Sequence, residues 1–347
     1  MRFLLLPFSW IYSLITYIRN ICFDIGIFPS TSFKIPIISV GNLSMGGEGK
    51  TPHVEYIINI LQNKYKIAVL SRGYGRNTNG FIAVNILDDY KKVGDEPLQL
   101  KNKFPDCLIA VCESRKKGIN QILSEYTDVD VIILDDAFQH RWVNPGLNIL
   151  ITSYQIPFYK NNVLPAGTLR EGNYAKKRAD IIIMSKCPKD INNIEKESII
   201  KKLVPLKKQD IFFSYIKYSK WNPIFRYVDN DNILSSFKKI ILITGIVYAK
   251  NIKHSLEKQG FLVEHIEYND HHEFKKENIL KILEKYNSEK SFKTLILTTE
   301  KDAVRLKRFK TLFKNIPVYS MPIEIKCKNE EMFKNQIISY VKTNNKN

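Results

Sequence analysis

The chain is poor in cysteine, short of acidic charge and without an apolar run long enough to cross a bilayer. Its five cysteines, Cys22, Cys107, Cys112, Cys187 and Cys327, form no C-x-x-C pair and no zinc spacing. That excludes a disulfide scaffold and a structural zinc site, and suits buried free thiols in a reducing cytoplasm. Acidic residues number 35 against 53 basic ones, a net charge of +18, which calls for anionic partners such as nucleotides, phospholipid or nucleic acid. No base-stacking motif or continuous basic stripe accompanies that charge, so nucleic acid is not an expected partner. The uncharged stretch 3–18, between Arg2 and Arg19, falls short of the roughly 20 residues of a spanning helix. No small-residue cleavage site follows it, so it is not a secretory signal. A guanine-reading [NT]-K-x-D is also missing: SKCP at Ser185 and TEKD at Thr299 are the nearest matches and lack its spacing.

What is present is organised around residues 35–61, IPIISVGNLSMGGEGKTPHVEYIINIL. The β-branched run 35–40 predicts an interior parallel strand. The loop Gly46-Gly47-Glu48-Gly49-Lys50-Thr51 then predicts a phosphate cradle, because glycines let several N–H groups converge and the following helix aims its positive end at the same place. In that chemistry Lys50 reaches the β- and γ-phosphates of a nucleotide and the Thr51 hydroxyl ligates Mg²⁺. Pro52 sits in the first helical turn, where a missing N–H costs nothing. Ser44 stands where the usual pattern has its first glycine.

A second signal lies at 129–140, VDVIILDDAFQH, a buried strand that delivers Asp135 and Asp136 at its tip. Such a strand is how P-loop enzymes hold the Mg²⁺ that bridges nucleotide phosphates. The loop SRGYGR at 71–76 serves either as a phosphate clamp or as a surface turn. Asp95, in GDEP, reads locally as a helix N-cap. Arg170 and Glu171 read locally as a surface ion pair, which is worth little. His271, in Asp270-His271-His272, suits a general-base element better than a metal ligand, and reads equally as a satisfied surface histidine. The N-terminal stretch, with Trp10, Tyr12 and Tyr17, has two readings: a helix on or partly in an anionic membrane surface, or an apolar helix packed on the protein's own core.

Strands alternate with helices twice over, which predicts two α/β/α P-loop-like domains with mostly parallel sheets. The expected boundaries are an N-terminal helix at 1–27, a nucleotide-binding domain at 28–205, a hairpin-like linker at 206–235 built around 212–221 and 224–228, and a smaller domain at 236–347. The last strand is expected at 317–319, and the tail 342–347 reads as frayed.

Taken in order, SVGNLSMGGEGKTPH, SRGYGR, GDEP, LDDAFQHR, LPAGTLRE, DHH and TTEKDAV resemble the tetraacyldisaccharide 4′-kinase family of lipid A synthesis, from the N-terminal helix to Val304. In that family the Ser44 position is similar, while Ala137 stands where many members carry glycine. The resemblance implies a kinase at the cytoplasmic face of the inner membrane. It would transfer the γ-phosphate of ATP, with Mg²⁺, to the 4′-hydroxyl of a lipid A disaccharide 1-phosphate, with no obligate protein partner. By similarity, Asp95 accepts the hydroxyl proton, supported by His271 from the second domain. Lys50 and Thr51 handle phosphates and metal, Asp135 and Asp136 govern the metal, and Arg170 with Glu171 lies near the nucleotide phosphates.

Overall fold

The computed structural model describes residues 2–225, 237–246, 249–288 and 293–345. Helix α1 (Leu6–Asp24) precedes the first of two sheets. The larger sheet is entered through β1 (Ile37–Asn42), α2 (Lys50–Leu61), β2 (Ile67–Ser71) and the short β3 (Ile82–Ala83). It continues through α3 (Tyr90–Val93), α4 (Asp95–Lys103), β4 (Leu108–Val111), α5 (Arg115–Glu125), β5 (Val131–Asp135), β6 (Leu147–Ser153), β7 (Ile181–Ser185), α6 (Asn193–Leu203) and β8 (Asp210–Tyr218). The smaller sheet uses β9 (Asn222–Pro223), β10 (Lys239–Thr244), α7 (Lys250–Lys258), β11 (Leu262–Glu267), α8 (Lys276–Ser288), β12 (Thr294–Thr299), α9 (Glu300–Leu306) and β13 (Val318–Met321). The chain then ends with β14 (Ile323–Cys327) and α10 (Glu330–Asn344).

Among the described residues the larger sheet has the order β14-β8-β7-β6-β1-β5-β2-β4-β3 and the smaller β11-β10-β12-β13-β9. Strands β1, β2, β5 and β7 are buried along their whole length, as the apolar runs predict for parallel strands covered on both faces. The order reverses around β1, whose neighbours are β5 and β6. In open α/β sheets such a reversal opens a crevice at the carboxyl ends of the strands, which is where ligands bind. The loop after β1 and the tip of β5 meet there.

Two stretches depart from the expected division. Within 206–235, β8 is a strand of the larger sheet, parallel to β7, and β9 pairs with β13 of the smaller one. The part of that segment at 226–235, including the end of the expected 224–228 arm, lies outside the described residues. The chain also does not finish in the smaller sheet. After β13 it returns, β14 pairs antiparallel with β8, and α10 buries Phe333, Ile337 and Val341. That i, i+4, i+8 stripe faces the larger core, where the Phe333 ring stacks on Tyr56 at 5.6 Å and meets Phe212 edge-on at 5.1 Å. The Tyr340 hydroxyl donates to the Ile37 carbonyl at 3.0 Å, fastening α10 to the start of β1. The helix runs through the expected frayed tail as far as Asn344.

Helix α1 packs one side on the body and leaves the other open. One side is held to the body by polar contacts: Asn20 donates to Glu171 at 2.9 Å, the Ser9 hydroxyl accepts from the Ala166 N–H at 2.9 Å, and Arg19 donates to the Gln139 carbonyl at 3.1 Å. The other side leaves Phe8, Trp10, Ile11, Leu14, Ile15 and Ile18 more than half exposed. No helix among the described residues is long and apolar enough to cross a membrane.

The C-terminal helix is thus part of the core of the larger sheet. Phe333→Ala removes a fully buried ring and is expected to lower stability by about 3–5 kcal/mol. Urea unfolding checks this, and a variant as stable as wild type refutes the assignment.

Candidate functional site

The turn after β1 has the backbone its sequence predicts. Gly46, Gly47 and Gly49 all adopt positive φ, at 73°, 68° and 90°, a region that costs glycine little and other residues 1 kcal/mol or more. Gly49 is the N-cap of α2, so the loop's N–H groups and the helix's positive end face one concavity. Ser44 is buried and forms a bridge to Leu169, so the position lacking its glycine ties the loop to 164–172. Glu48 is buried as well, and burial raises its carboxyl against the lowering effect of the Ser44 hydroxyl and of Lys186. The loop is clamped from behind. The Ser185 hydroxyl donates to the Glu48 carbonyl at 2.7 Å, and the Lys186 ammonium donates to the Gly47 carbonyl. His53 bridges the Gly49 carbonyl, 2.7 Å from Nδ1, and the Ser214 hydroxyl of β8, 2.9 Å from Nε2.

Strand β5 brings Asp135 and Asp136 to the same crevice. Gly41 of β1 passes so close that an added Cβ would lie 2.7 Å from the Phe138 Cβ and 2.8 Å from the Phe138 backbone nitrogen, so no larger side chain fits between the strand end and the Asp-Asp turn. The Lys50 ammonium lies 3.3 Å from Asn42 Oδ1 and 3.6 Å from Asp136 Oδ1. Arg170 donates to both oxygens of Asp136, at 3.0 and 3.2 Å. Burial works to raise the Asp136 carboxyl, but Lys50 and Arg170 hold it below the usual value. Asp135 behaves oppositely: burial, then the charges of Glu96 and Asp136, push it up to about 7, and its Oδ1 is buried with no hydrogen-bond partner. A buried carboxylate oxygen without a donor is costly unless something fills the place. The Asp135 carboxylate and the Thr51 hydroxyl are hard oxygen donors of the type Mg²⁺ takes, and no cluster of three or more His, Cys, Asp or Glu side chains that could hold a metal ion occurs among the described residues.

Asp95 opens α4 with Gly94 as its N-cap, so it is the first helical residue rather than the cap. His271 Nδ1 comes from the loop after β11 to within 3.0 Å of Asp95 Oδ2. Arg305 Nη1 lies 3.6 Å from the same oxygen. Burial raises the Asp95 carboxyl, and the hydrogen bond from His271 with the charges of Lys301 and Arg305 outweighs it, leaving the group below the usual carboxylate range. The Glu96 charge felt at Asp135 joins this cluster to the phosphate-loop cluster. Neighbouring His272 turns away and stacks on Tyr268 at 4.3 Å.

Glu171 is the sequence-predicted residue that the structure sets apart. It is buried, accepts from Asn20 of α1 at 2.9 Å and from Arg178 at 2.8 Å, and so anchors the N-terminal helix while Arg170 beside it faces Asp136. Residues not anticipated were His53, Lys186, Lys301 and Arg305. The one available signal was Lys301 and Arg305 four apart in TEKDAVR, which puts two cations on one helix face.

A family model described as tetraacyldisaccharide-1-P 4′-kinase matches residues 1–342. The chain is 42% identical to a tetraacyldisaccharide 4′-kinase of Flavobacterium psychrophilum, over 100% of this chain and 99% of that protein. It is 40% identical to a protein of the same name from Bacteroides thetaiotaomicron, over 99% of this chain and 94% of the relative. Its fold matches a crystal structure of the "apo" form of LpxK from Aquifex aeolicus in complex with ATP, with a TM-score of 0.75 and 28% identity, covering 98% of this chain and 99% of that one.

The clamp on the phosphate loop predicts an acid sensitivity. Burial holds the His53 imidazole down at about 4, from an ordinary value of 6.5. The unfolded chain therefore takes up a proton that the folded chain refuses. The stability this provides is full above pH 6.5 and is lost at up to about 1.4 kcal/mol per pH unit as pH falls toward 4. His53→Gln should flatten this part of the acid limb in urea unfolding between pH 7 and 4.5, and an unchanged slope would sink the assignment.

Proposed function

This chain belongs to the tetraacyldisaccharide-1-phosphate 4′-kinase family, and from that premise we propose how its residues carry the reaction. The protein is an ATP-dependent kinase of lipid A biosynthesis. It transfers the γ-phosphate of ATP to the 4′-hydroxyl of a tetraacyldisaccharide 1-phosphate, giving the 4′-phosphorylated precursor lipid IVA.

The observation that carries the residue roles is the contact of Asp95 with His271, because it sets a carboxylate kept ionised by three cationic or donor groups on the helix turn whose next residue, Glu96, is felt at Asp135. Asp95 accepts the proton of the 4′-hydroxyl as that oxygen attacks the γ-phosphorus. The bond from the γ-phosphorus to the bridging oxygen breaks, and ADP leaves with its electron pair. His271 donates to Asp95 through Nδ1 and holds the carboxylate toward the acceptor. Phosphoryl transfer asks mainly for positioning and charge neutralisation. Lys50 supplies a mobile cation to the β- and γ-phosphates, the backbone of 46–51 cradles them, and Arg170 is positioned to exchange Asp136 for a phosphate oxygen. Thr51, Asp135 and Asp136 would hold Mg²⁺, which when bound offsets phosphate charge. The unpartnered Asp135 Oδ1 fits that role.

Because Asp95 and His271 come from α/β units built on different sheets, the reacting pair forms only when the two units are closed on each other. The acceptor carries acyl chains, and the exposed apolar face of α1, together with a net charge of +18, suits an anionic membrane surface on the cytoplasmic side. The competing reading is a membrane-held kinase acting on another hydroxyl.

In mixed detergent micelles with labelled ATP, Asp95→Ala should keep ATP binding and lose about 10²–10⁴-fold in turnover, and Lys50→Ala should abolish transfer. Undiminished transfer by Asp95→Ala would refute its role as base. ATP hydrolysis by wild type without a lipid product would favour the other acceptor. For the membrane, Trp10 fluorescence should shift to the blue with vesicles containing anionic lipid and stay unchanged with neutral ones. No change with either would remove α1 from the interface.

A further inference from the structure

The imidazole of His271 has two nitrogens, and the reaction uses one. Nδ1 lies 3.0 Å from Asp95 Oδ2, while Nε2 lies 2.9 Å from the Lys301 ammonium. An ammonium has donors only, so Nε2 must be the accepting nitrogen and the ring proton must reside on Nδ1. Lys301 is itself fixed. Its Nζ lies 3.0 Å from Glu96 Oε1 and 3.3 Å from Asp270 Oδ1, and its side chain is only 15% exposed. Burial opposes its charge, yet Glu96, Asp95 and Asp270 leave the ammonium more firmly protonated than usual. His271 has φ of +58°, a conformation uncommon outside glycine and more frequent for histidine than for most residues, and its N–H is held by Asp270 at 3.0 Å. The ring is therefore presented by a backbone outlier and gripped at both nitrogens.

We propose that Lys301 is a positioning residue for the phosphoryl transfer: its ammonium occupies His271 Nε2, sets the Nδ1–H tautomer, and so aims the one imidazole proton at Asp95. The inference rests on the reading of Asp95 and His271 as the reacting pair. Lys301 excludes the alternative in which Nδ1 is bare and faces a carboxylate, two acceptors with no proton between them. The charged groups around the ring are Asp95 and Glu96 from α4, Lys301 and Arg305 from α9, and Asp270 beside it, with Tyr74 packed on its face at 5.0 Å. Of these, only Lys301 holds Nε2 with a donor; Asp270 Oδ2 stands 3.8 Å away.

The test is nitrogen-15 NMR of histidine-labelled full-length protein without nucleotide or lipid, with the His271 signal assigned through a His271→Gln sample. The expected spectrum shows a neutral ring with its proton on Nδ1; a proton on Nε2, or on both nitrogens, overturns the proposal. In Lys301→Met, which keeps the stem and removes the charge, the Nδ1–H pattern should give way to a mixture. The acid limb of the kcat/KM profile should move up by about 1 pH unit, because Asp95 loses a nearby cation that holds its carboxyl down, and the KM for ATP should hold. Lys301→Arg, which keeps a cationic donor, should return the limb toward wild type. An unchanged tautomer and limb in Lys301→Met assign Lys301 a merely structural role and overturn the proposal. Because the spectrum is recorded without turnover, it fails or succeeds independently of Asp95→Ala, whose activity decides the catalytic reading.

Discussion

A carboxylate that must be both buried and charged sets the relation between the two halves of this protein. Asp95 sits at the start of α4 with 5% of its surface exposed, and an isolated buried charge costs several kcal/mol unless partners replace its water. The larger domain supplies one donor in this chain of contacts, the Glu96 N–H at 2.9 Å. The remaining partners, His271 and Arg305 directly and Lys301 through His271, come from the smaller sheet. Asp95 is therefore dry and held in its ionised form through partners that the second α/β unit brings to it.

The same pairing logic appears a helix turn further from the chemistry. Lys103 of α4 lies 2.7 Å from Glu55 of α2 and 3.2 Å from Glu300 of α9, and Glu55 is 3% exposed. These three helices carry, at their N-terminal ends, the phosphate loop, Asp95 and Lys301 respectively. A single cation at the end of α4 thus ties the middle of α2 to the first turn of α9. Removing one member leaves another polar group buried without its partner, the costly case for such triads.

Much of this was legible in the chain because local chemistry and global fold agree there. The apolar runs of β1, β2, β5 and β7, the three positive-φ glycines and the Asp135-Asp136 tip each follow from a rule that needs no distant partner. What escaped depended on distant partners. Strand β14 is five residues long and pairs with β8 across about a hundred residues of sequence, so no local pattern announces which sheet it joins. The strand β8 alternates and carries aromatics as a hairpin arm does, and only its pairing with β7 on one side and β14 on the other makes it an interior strand. His53 reads as an ordinary helical residue until Ser214 is seen beside it. Asp95, His271 and Arg170 were raised by resemblance, since their own neighbourhoods read equally well as a cap, a surface histidine and a surface pair.

Glu171 shows where local pattern and resemblance both reach a limit. Adjacent residues in a loop point in different directions, so Arg170 can face Asp136 while Glu171, one peptide later, turns beneath α1 to Asn20 and Arg178. The consequence is mechanical. The loop that brings a cation to the phosphates also holds the N-terminal helix, and Arg19 of that helix reaches back to the Gln139 carbonyl in the Asp-Asp turn. Helix α1 is held on this side by buried polar contacts and, at its C-terminal end, by the buried Phe23 ring against Phe28 and Trp142. Those anchors fix its register with the Asp-Asp turn while the opposite side keeps a broad apolar face exposed, because a helix can bury only one side against the body that holds it.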